Sequence, residues 1–262
     1  MGRVMLAYVA LLLAMDAGSA PSKAGAFDVV PPDVQTAQPA ALRDAKQILA
    51  DYAKAIGDEK SWKKHKSVHV KREVSVKSMH FVSHEDTRLQ RGGKIFSSSE
   101  MPGMGTFRRG SDGRIAWSED PIGGLRILKD AEAEDVRIAA AWNSEWHLGE
   151  VYKKALSVPP PPSAPAGQSL ECVELSKAQG QPTILCFDSK THLRVFEKGV
   201  QASQGGEVPY ATKYSEWRVV DGVKVWYQED VTVGPVTMEG RIVEISFDEH
   251  FPATLFSLPM KR

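Results

Sequence analysis

The stretch YSEWRVVDGVKVWYQED, residues 214–230, does most to decide what fold the chain is expected to have. Its Asp221-Gly222 pair is typical of a two-residue β-hairpin turn, because both residues tolerate a positive φ. Counting outward from that turn places Trp217 directly opposite Trp226. The sequence therefore predicts an antiparallel hairpin with one cross-strand tryptophan pair, and it leaves open which face of the sheet the pair occupies.

Strand-like runs separated by Gly, Pro and Asp turns continue on both sides of this hairpin. Several lie between residues 62 and 128, and the later ones are 171–175, 183–187, 193–199, 208–220, 223–233 and 236–247. Two segments have helical character instead: one begins near Pro39 and ends at Gly57, and the other covers residues 131–156. The sequence therefore predicts an α+β fold, with about ten or eleven antiparallel strands in one curved sheet and helices on one face.

The first 26 residues are typical of a secretory signal peptide. Arg3 precedes an apolar run at 4–15, which is too short to cross a bilayer, and small residues follow it. The best cleavage site is Ala24-Gly25-Ala26 and the alternative is Ala20, while a retained membrane anchor is the competing interpretation. We expect a periplasmic protein, with secretion as the alternative and no transmembrane segment in the mature chain.

The remaining chain is expected to form one domain. Residues 27–38 contain two consecutive prolines and no periodicity, so we expect an irregular arm before a single domain at 39–262. The segment SVPPPPSAPAG at 157–167 favours an extended conformation. Because strands of the same character lie on both sides of it, we interpret it as an insertion loop in one sheet.

The only two cysteines lie on adjacent strand-like runs. A three-residue loop at 178–180 would place Cys172 directly opposite Cys186, close enough to be bridged. Export to an oxidising compartment lets such a pair persist. We expect a structural disulfide; a two-thiol metal or redox site is the alternative, and the spacing is not C-x-x-C.

The charges and the polar motifs exclude several functions. Lysine plus arginine equals aspartate plus glutamate at 33 each, so no basic field exists to hold nucleic acid. His65, His69, His80 and His84 form the densest histidine group, but no cysteine or firmly placed carboxylate completes a metal site, and we expect exposed histidines. Ser111 is expected to be a turn residue because the G-x-S-x-G elbow is absent. Glu119, Asp120 and Glu249 are not distinguished from surface carboxylates. We therefore expect no catalytic residue, metal or cofactor.

The order of these features resembles the superfamily of the periplasmic lipoprotein carrier LolA. The resemblance covers residues 38–259 and is carried by YAKAIGDEKSW, GSDGRIAWSEDPIGGLRIL, CFDSKTHLRVFEKG, YATKYSEWRVVDGVKVW and LFSLP. It implies an unclosed β-barrel, a strongly bent antiparallel sheet of about eleven strands whose concave face is covered by helices. In the carriers that interior accepts acyl chains. The length, the 157–167 insertion and the cysteine pair depart from the small carriers.

The function expected from this resemblance is non-catalytic binding of a lipid, a lipoprotein acyl chain or another hydrophobic ligand between sheet and helices. Burying a methylene group contributes about 0.8 kcal/mol, so such a ligand needs a long apolar lining. The candidate lining residues are Trp117, Leu125, Trp142, Trp146, Trp217 and Trp226. The alternative is a cell-envelope interaction or scaffold module with a filled interior, which contacts a protein partner.

Overall fold

The computed structural model describes residues 42–142, 144–203 and 205–260, except for the side chain of Lys77. The predicted signal peptide, the arm at 27–38 and the helix start at Pro39 lie outside these residues. The described helices are α1 Ala45–Ala55, α2 Glu59–Lys64, α3 Asp130–Ala140 and α4 Leu148–Val151, with 3₁₀ turns at Lys77–Met79 and Ala253–Leu255.

One antiparallel sheet contains all the described strands. They are β1 Ser67–Val76, β2 Phe81–Gln90, β3 Lys94–Met101, β4 Gly105–Asp112, β5 Ala116–Asp120, β6 Gly124–Ile127, β7 Lys154–Val158, β8 Leu170–Ser176, β9 Thr183–Asp188, β10 Arg194–Ser203, β11 Gly206–Val220, β12 Val223–Val233 and β13 Val236–Phe247. Their order is β6-β5-β4-β3-β2-β1-β13-β12-β11-β10-β9-β8-β7. The sheet is unclosed, with β6 and β7 at its edges, and has thirteen strands where the sequence predicted about eleven.

The strand order explains why helices cover one face. β6 and β7 are consecutive along the chain but lie at opposite edges of the sheet. The connection between them contains α3 and α4, and α3 contacts β3, β4, β5 and β10, so the connection runs over one face of the sheet. We call the face that it crosses the inner face.

The sheet is strongly curved. α3 contacts β10 as well as β3, β4 and β5, and β3 and β10 are six positions apart in the sheet. In a flat sheet, six positions would span roughly 29 Å, whereas a helix is about 10–12 Å wide. Register shifts occur between Lys71 and Arg72 and between Arg194 and Phe196, and such irregularities bend a strand. The curvature brings the two halves of the sheet to the same helix.

Helix α1 packs on the inner face beside the hairpin predicted from residues 214–230. Asp44 caps its start by accepting hydrogen bonds from two backbone N–H groups, and Tyr52 is fully buried on its apolar side. The helix ends next to Gly57, which has a φ of +135°. The N–H of Lys224 then donates to the carbonyl of Ile56 at 2.7 Å and joins the end of α1 to β12.

The hairpin itself is as predicted. Trp217 pairs with Trp226 across β11 and β12, and the two strands turn at Asp221 and Gly222. Both turn residues have positive φ, +52° and +84°, as a type I′ turn requires. A short local motif was therefore sufficient to fix this register.

The second predicted helix, at 131–156, is wrong in its extent. Helix α3 ends at Ala140, and Lys154–Val158 forms the edge strand β7, paired with β8. Trp142 and Trp146 lie in the α3–α4 connection (residues 141–147), and they pack against two different apolar clusters. A continuous helix would have placed both rings on one face, so tertiary packing has overridden helix propensity here.

The disulfide is confirmed: Cys172 and Cys186 are directly opposite in β8 and β9 and are bonded to each other. The segment predicted as an extended insertion loop at 157–167 joins β7 to β8: its first two residues are the end of β7, and turns begin at 162.

Candidate functional site

Five aromatic side chains form a continuous row of ring contacts between α1 and the inner face. Neighbouring ring centroids are 4.8 Å apart for Phe187 and Tyr52, 6.4 Å for Tyr52 and Trp217, 5.6 Å for Trp217 and Trp226, and 5.0 Å for Trp226 and Tyr214. We call these five residues the aromatic row. The contact with Tyr52 of α1 places the predicted tryptophan pair on the helix-covered face.

A buried arginine ends the row. The Arg194 guanidinium lies 4.4 Å from the ring centroid of Tyr214 and 4.8 Å from that of Trp226, and the side chain is 4% exposed. It donates a hydrogen bond of 3.1 Å to Glu145 and lies 3.4 Å from Glu197. Burial disfavours its charge, but Glu145 and the other surrounding groups outweigh burial and raise the pKa of Arg194.

Glu145 links the arginine to α1. One carboxylate oxygen accepts the hydrogen bond from Arg194, and the other accepts one of 2.7 Å from the hydroxyl of Tyr52. Burial raises the pKa of Tyr52 well above its usual value, so this hydroxyl remains a donor. Tyr52, Glu145 and Arg194 thus connect a helix, the α3–α4 connection and β10.

A second ionic cluster lies beside the first on the inner face. Arg72 donates to Glu85 at 2.5 Å and to Glu229 at 2.6 Å, and all three side chains are buried. Burial, together with the charge of Glu229, raises the pKa of Glu85 to about 7 although Arg72 opposes the shift. The single guanidinium of Arg72 therefore forms ion pairs with two carboxylates.

The α3–α4 connection lies over this surface. The indole N–H of Trp146 donates to the carbonyl of Gly57 at 3.3 Å. Trp142 lines a cavity of about 20 Å³ together with Val68, Leu89 and Phe247. A cavity of that volume holds about one water molecule, so this part of the interface is filled by side chains.

The remaining two predicted lining residues, Trp117 and Leu125, are on the outer face. Arg109 reaches the carbonyl of Glu132 in α3, so its neighbour Gly110 and the paired Trp117 face away from the helices. The Trp117 indole donates to the carbonyl of Phe256 in the C-terminal tail at 3.1 Å. Tail and strands enclose an open groove of about 1090 Å³, lined by residues that include Phe96, Trp117, Leu125, Leu255, Leu258 and Met260. The six predicted residues therefore belong to two separate surfaces, four of them on the inner face.

Two of the four histidines differ from the expectation. His80 and His84 are exposed, but His65 and His69 are buried. His65 lies 2.8 Å from Asp248, and His69 lies 3.1 Å from a carboxylate on each side. The prediction of exposed histidines was wrong here because the C-terminal tail folds back over β1. Among the described residues, no group of three or more His, Cys, Asp and Glu side chains is arranged to hold a metal ion.

The serine and the remaining acids have structural partners. Ser111 was predicted to be a turn residue but lies in β4, because the pairing of β4 with β3 continues to Asp112; it accepts a hydrogen bond from the N–H of Gly113 in the following turn. Glu119 pairs with Arg108, and Asp120 accepts backbone N–H groups of the β5–β6 turn. Glu249, whose side chain is 40% exposed, binds His69.

Sequence reasoning missed Tyr52, Glu145 and Arg194 as members of one site. No local pattern in the sequence marks these three residues as members of a site. Arg194 and Glu145 are separated by 49 residues, so only the folded chain brings them together.

The fold resembles that of solved LolA-like proteins. A LolA superfamily protein from Nitrosomonas europaea matches with a TM-score of 0.53 at 11% identity, over 82% of this chain and 98% of that one. A DUF1329 family protein from Desulfovibrio piger matches with a TM-score of 0.50 at 11% identity, over 82% and 97% of the two chains. No protein-family model and no curated protein sequence matches the chain. The chain therefore has a LolA-like fold.

No helix within the described ranges is both long enough and apolar enough to cross a membrane.

Proposed function

We propose that this protein binds the acyl chain of a lipid or lipoprotein, or a similar hydrophobic ligand, between the aromatic row and the α3–α4 connection. The binding is non-catalytic and takes place in the periplasm, where the Cys172–Cys186 disulfide would be maintained. The observation that carries the proposal is the aromatic row itself, an apolar wall on the concave face of a LolA-like sheet.

The α3–α4 connection would give the ligand access to the aromatic row. Its described residues form turns held by i to i+3 backbone hydrogen bonds, such as those from the N–H of Ser144 and His147. Such turns can move without breaking the β-ladders of the sheet. An entering acyl chain would replace the contacts that Trp142 and Trp146 now make with the apolar clusters.

Equilibrium binding of N-phenyl-1-naphthylamine, a probe that fluoresces in apolar surroundings, tests the proposal. We expect saturable binding to the processed protein, and about tenfold weaker binding by Trp217→Ala because part of the wall is removed. Trp117→Ala is the matched control, since that indole is on the outer face. Thermal melts establish that both variants are folded. Equal weakening by both variants, or no saturable binding by the wild type, would contradict the proposal.

A second function is favoured by the tight packing beside Trp142, where the remaining cavity of about 20 Å³ has room for only about one water molecule. In this alternative the protein is an envelope interaction module that takes no ligand and contacts a protein partner. It predicts that the probe does not bind and that Trp217→Ala affects stability alone.

A further inference from the structure

Arg194 places a positive charge at the end of an otherwise aromatic wall. Its side chain is 4% exposed, and a buried guanidinium is stable only when carboxylates and hydrogen bonds compensate for lost hydration. Glu145 and Glu197 provide that compensation, at 3.1 Å and 3.4 Å. Removing either carboxylate would leave the charge poorly compensated.

The two carboxylates are held differently. Glu197 is in β10 itself and accepts hydrogen bonds from the hydroxyls of Tyr210 and Tyr214, at 2.6 Å and 3.0 Å. Glu145 instead reaches Arg194 from the α3–α4 connection. Glu145 is therefore the carboxylate that leaves when the connection moves aside to admit a ligand.

The group that takes the place of Glu145 must carry a negative charge. A neutral ligand would leave the buried guanidinium with Glu197 alone, whereas a carboxylate or phosphate would leave the charge of the cluster unchanged. Arginine also matches both groups geometrically, because its planar N–H donors can bind two oxygens at once.

We infer that the ligand is an anionic amphiphile whose head group replaces the Glu145 carboxylate between Arg194 and Tyr52, while its chain lies along the aromatic row. Arg194 and the hydroxyl of Tyr52 already donate to the two carboxylate oxygens of Glu145, at 3.1 Å and 2.7 Å. The inference rests on the proposed function, and it adds the class of head group and the residues that select it.

Three ligands with the same twelve-carbon chain test this selection: dodecanoate, dodecyl phosphate and dodecan-1-ol. Tryptophan fluorescence or calorimetry gives each dissociation constant in the wild type. We expect at least one anion to bind about tenfold more tightly than the alcohol. Preference for dodecanoate identifies a carboxylate head group, and preference for dodecyl phosphate identifies a phosphate.

Two variants assign the preference to the site. Arg194→Gln is expected to bind anion and alcohol within about twofold of each other. Glu145→Gln is expected to bind the anions several-fold more tightly, because the competing carboxylate is gone. If Arg194→Gln does not fold, this variant alone tests whether the anion binds at the Glu145 position. Glu150→Gln, a nearby exposed carboxylate on α4, is the matched control and should leave all three constants unchanged.

The inference is overturned if the alcohol binds as tightly as both anions, or if Glu145→Gln leaves anion binding unchanged. In those cases the proposed function stands, because the alcohol still reports binding of the chain. If none of the three ligands binds the wild type, both the inference and the proposed function fail.

Discussion

Tyr52 is the member of the aromatic row that α1 contributes, and it also contacts the buried charges. Its ring touches Phe187 and Trp217, and its hydroxyl donates to Glu145. Tyr52→Phe keeps the ring contacts and leaves a buried carboxylate oxygen without this donor. We expect a loss of about 1–3 kcal/mol in the free energy of unfolding, measured by urea denaturation.

Tyr227→Phe is the control for Tyr52→Phe, because the Tyr227 ring lies over exposed Arg218. It should change the free energy of unfolding by less than about 0.5 kcal/mol. Equal effects of the two substitutions would show that the hydrogen bond to Glu145 does not stabilise the fold.

Glu85 gives the protein a specific pH dependence. Its pKa is about 7 in the folded protein and 4.5 ordinarily, so folding favours the protonated carboxyl. The stability that it contributes is fully present below about pH 4.5 and is lost as the pH rises to about 7, on the order of 3 kcal/mol. The difference in free energy of unfolding between the wild type and Glu85→Gln should therefore decrease over this range.

Urea denaturation at several pH values between 4.5 and 8 measures that difference. Glu73→Gln, an exposed carboxylate on the neighbouring strand, should give a nearly constant difference from the wild type. A Glu85→Gln curve parallel to the wild-type curve would mean that the carboxyl stays ionised beside Arg72.

At the residue scale, the sequence predicted what depends on neighbours in the chain. Trp217 and Trp226 are nine residues apart, and a two-residue turn fixes their pairing. The disulfide followed from the same kind of counting. Buried charges such as Arg194 could not be predicted, because their compensating partners come from distant elements.

Among the elements, the junction between α1 and the β11–β12 hairpin sets the position of the aromatic row. Gly57 lies at this junction, just after the end of α1, and has a φ of +135°. A Cβ at this position would lie 2.9 Å from the carbonyl oxygen of Gly222. Gly57→Ala should therefore cost about 1–3 kcal/mol of unfolding free energy, measured by thermal or urea denaturation.

Gly149→Ala provides the matched control. Gly149 is in α4, and the nearest atom to an added Cβ is a Leu49 methyl at 3.8 Å, an ordinary contact. We expect this substitution to be neutral or stabilising by up to about 1 kcal/mol. Equal losses of unfolding free energy in Gly57→Ala and Gly149→Ala would attribute the effect to the added methyl group and exclude backbone strain at Gly57.

The disulfide ties together the β8–β9 hairpin beneath α1. Its loop spans a sequence separation of 14, for which the constraint on the unfolded chain is worth about 3 kcal/mol. The double variant Cys172→Ala, Cys186→Ala should lose stability of that order in urea denaturation. An unchanged midpoint would show that the bond is dispensable in this hairpin.

The elements were predicted most accurately where the side-chain pattern is strong. The later strands begin and end within two residues of their predicted limits, except that β10 continues four residues past its predicted end. The helix predicted at 131–156 failed after Ala140. Its high helix propensity is outweighed by the pairing of Lys154–Val158 with β8.

For the whole molecule, the essential feature is a chain that crosses its own sheet from one edge to the other. β6 and β7 are the edges, and the connection through α3 and α4 runs over the inner face, where α3 contacts strands of both halves of the sheet. The strands and helices could be predicted from the sequence, but the order of the strands across the sheet could not. For that reason Trp117 and Leu125 were grouped with inner-face residues although they lie on the outer face.

The central claim is that the inner face of this sheet carries a hydrophobic ligand. Native mass spectrometry tests this claim, with the protein exported through its predicted signal peptide and purified without detergent. We expect an excess mass that is released as an amphiphile on activation, returns when the delipidated protein is mixed with membrane lipids, and is reduced in Trp217→Ala but not in Trp117→Ala. A protein that shows the bare chain mass at every stage, including after exposure to lipids, would contradict it.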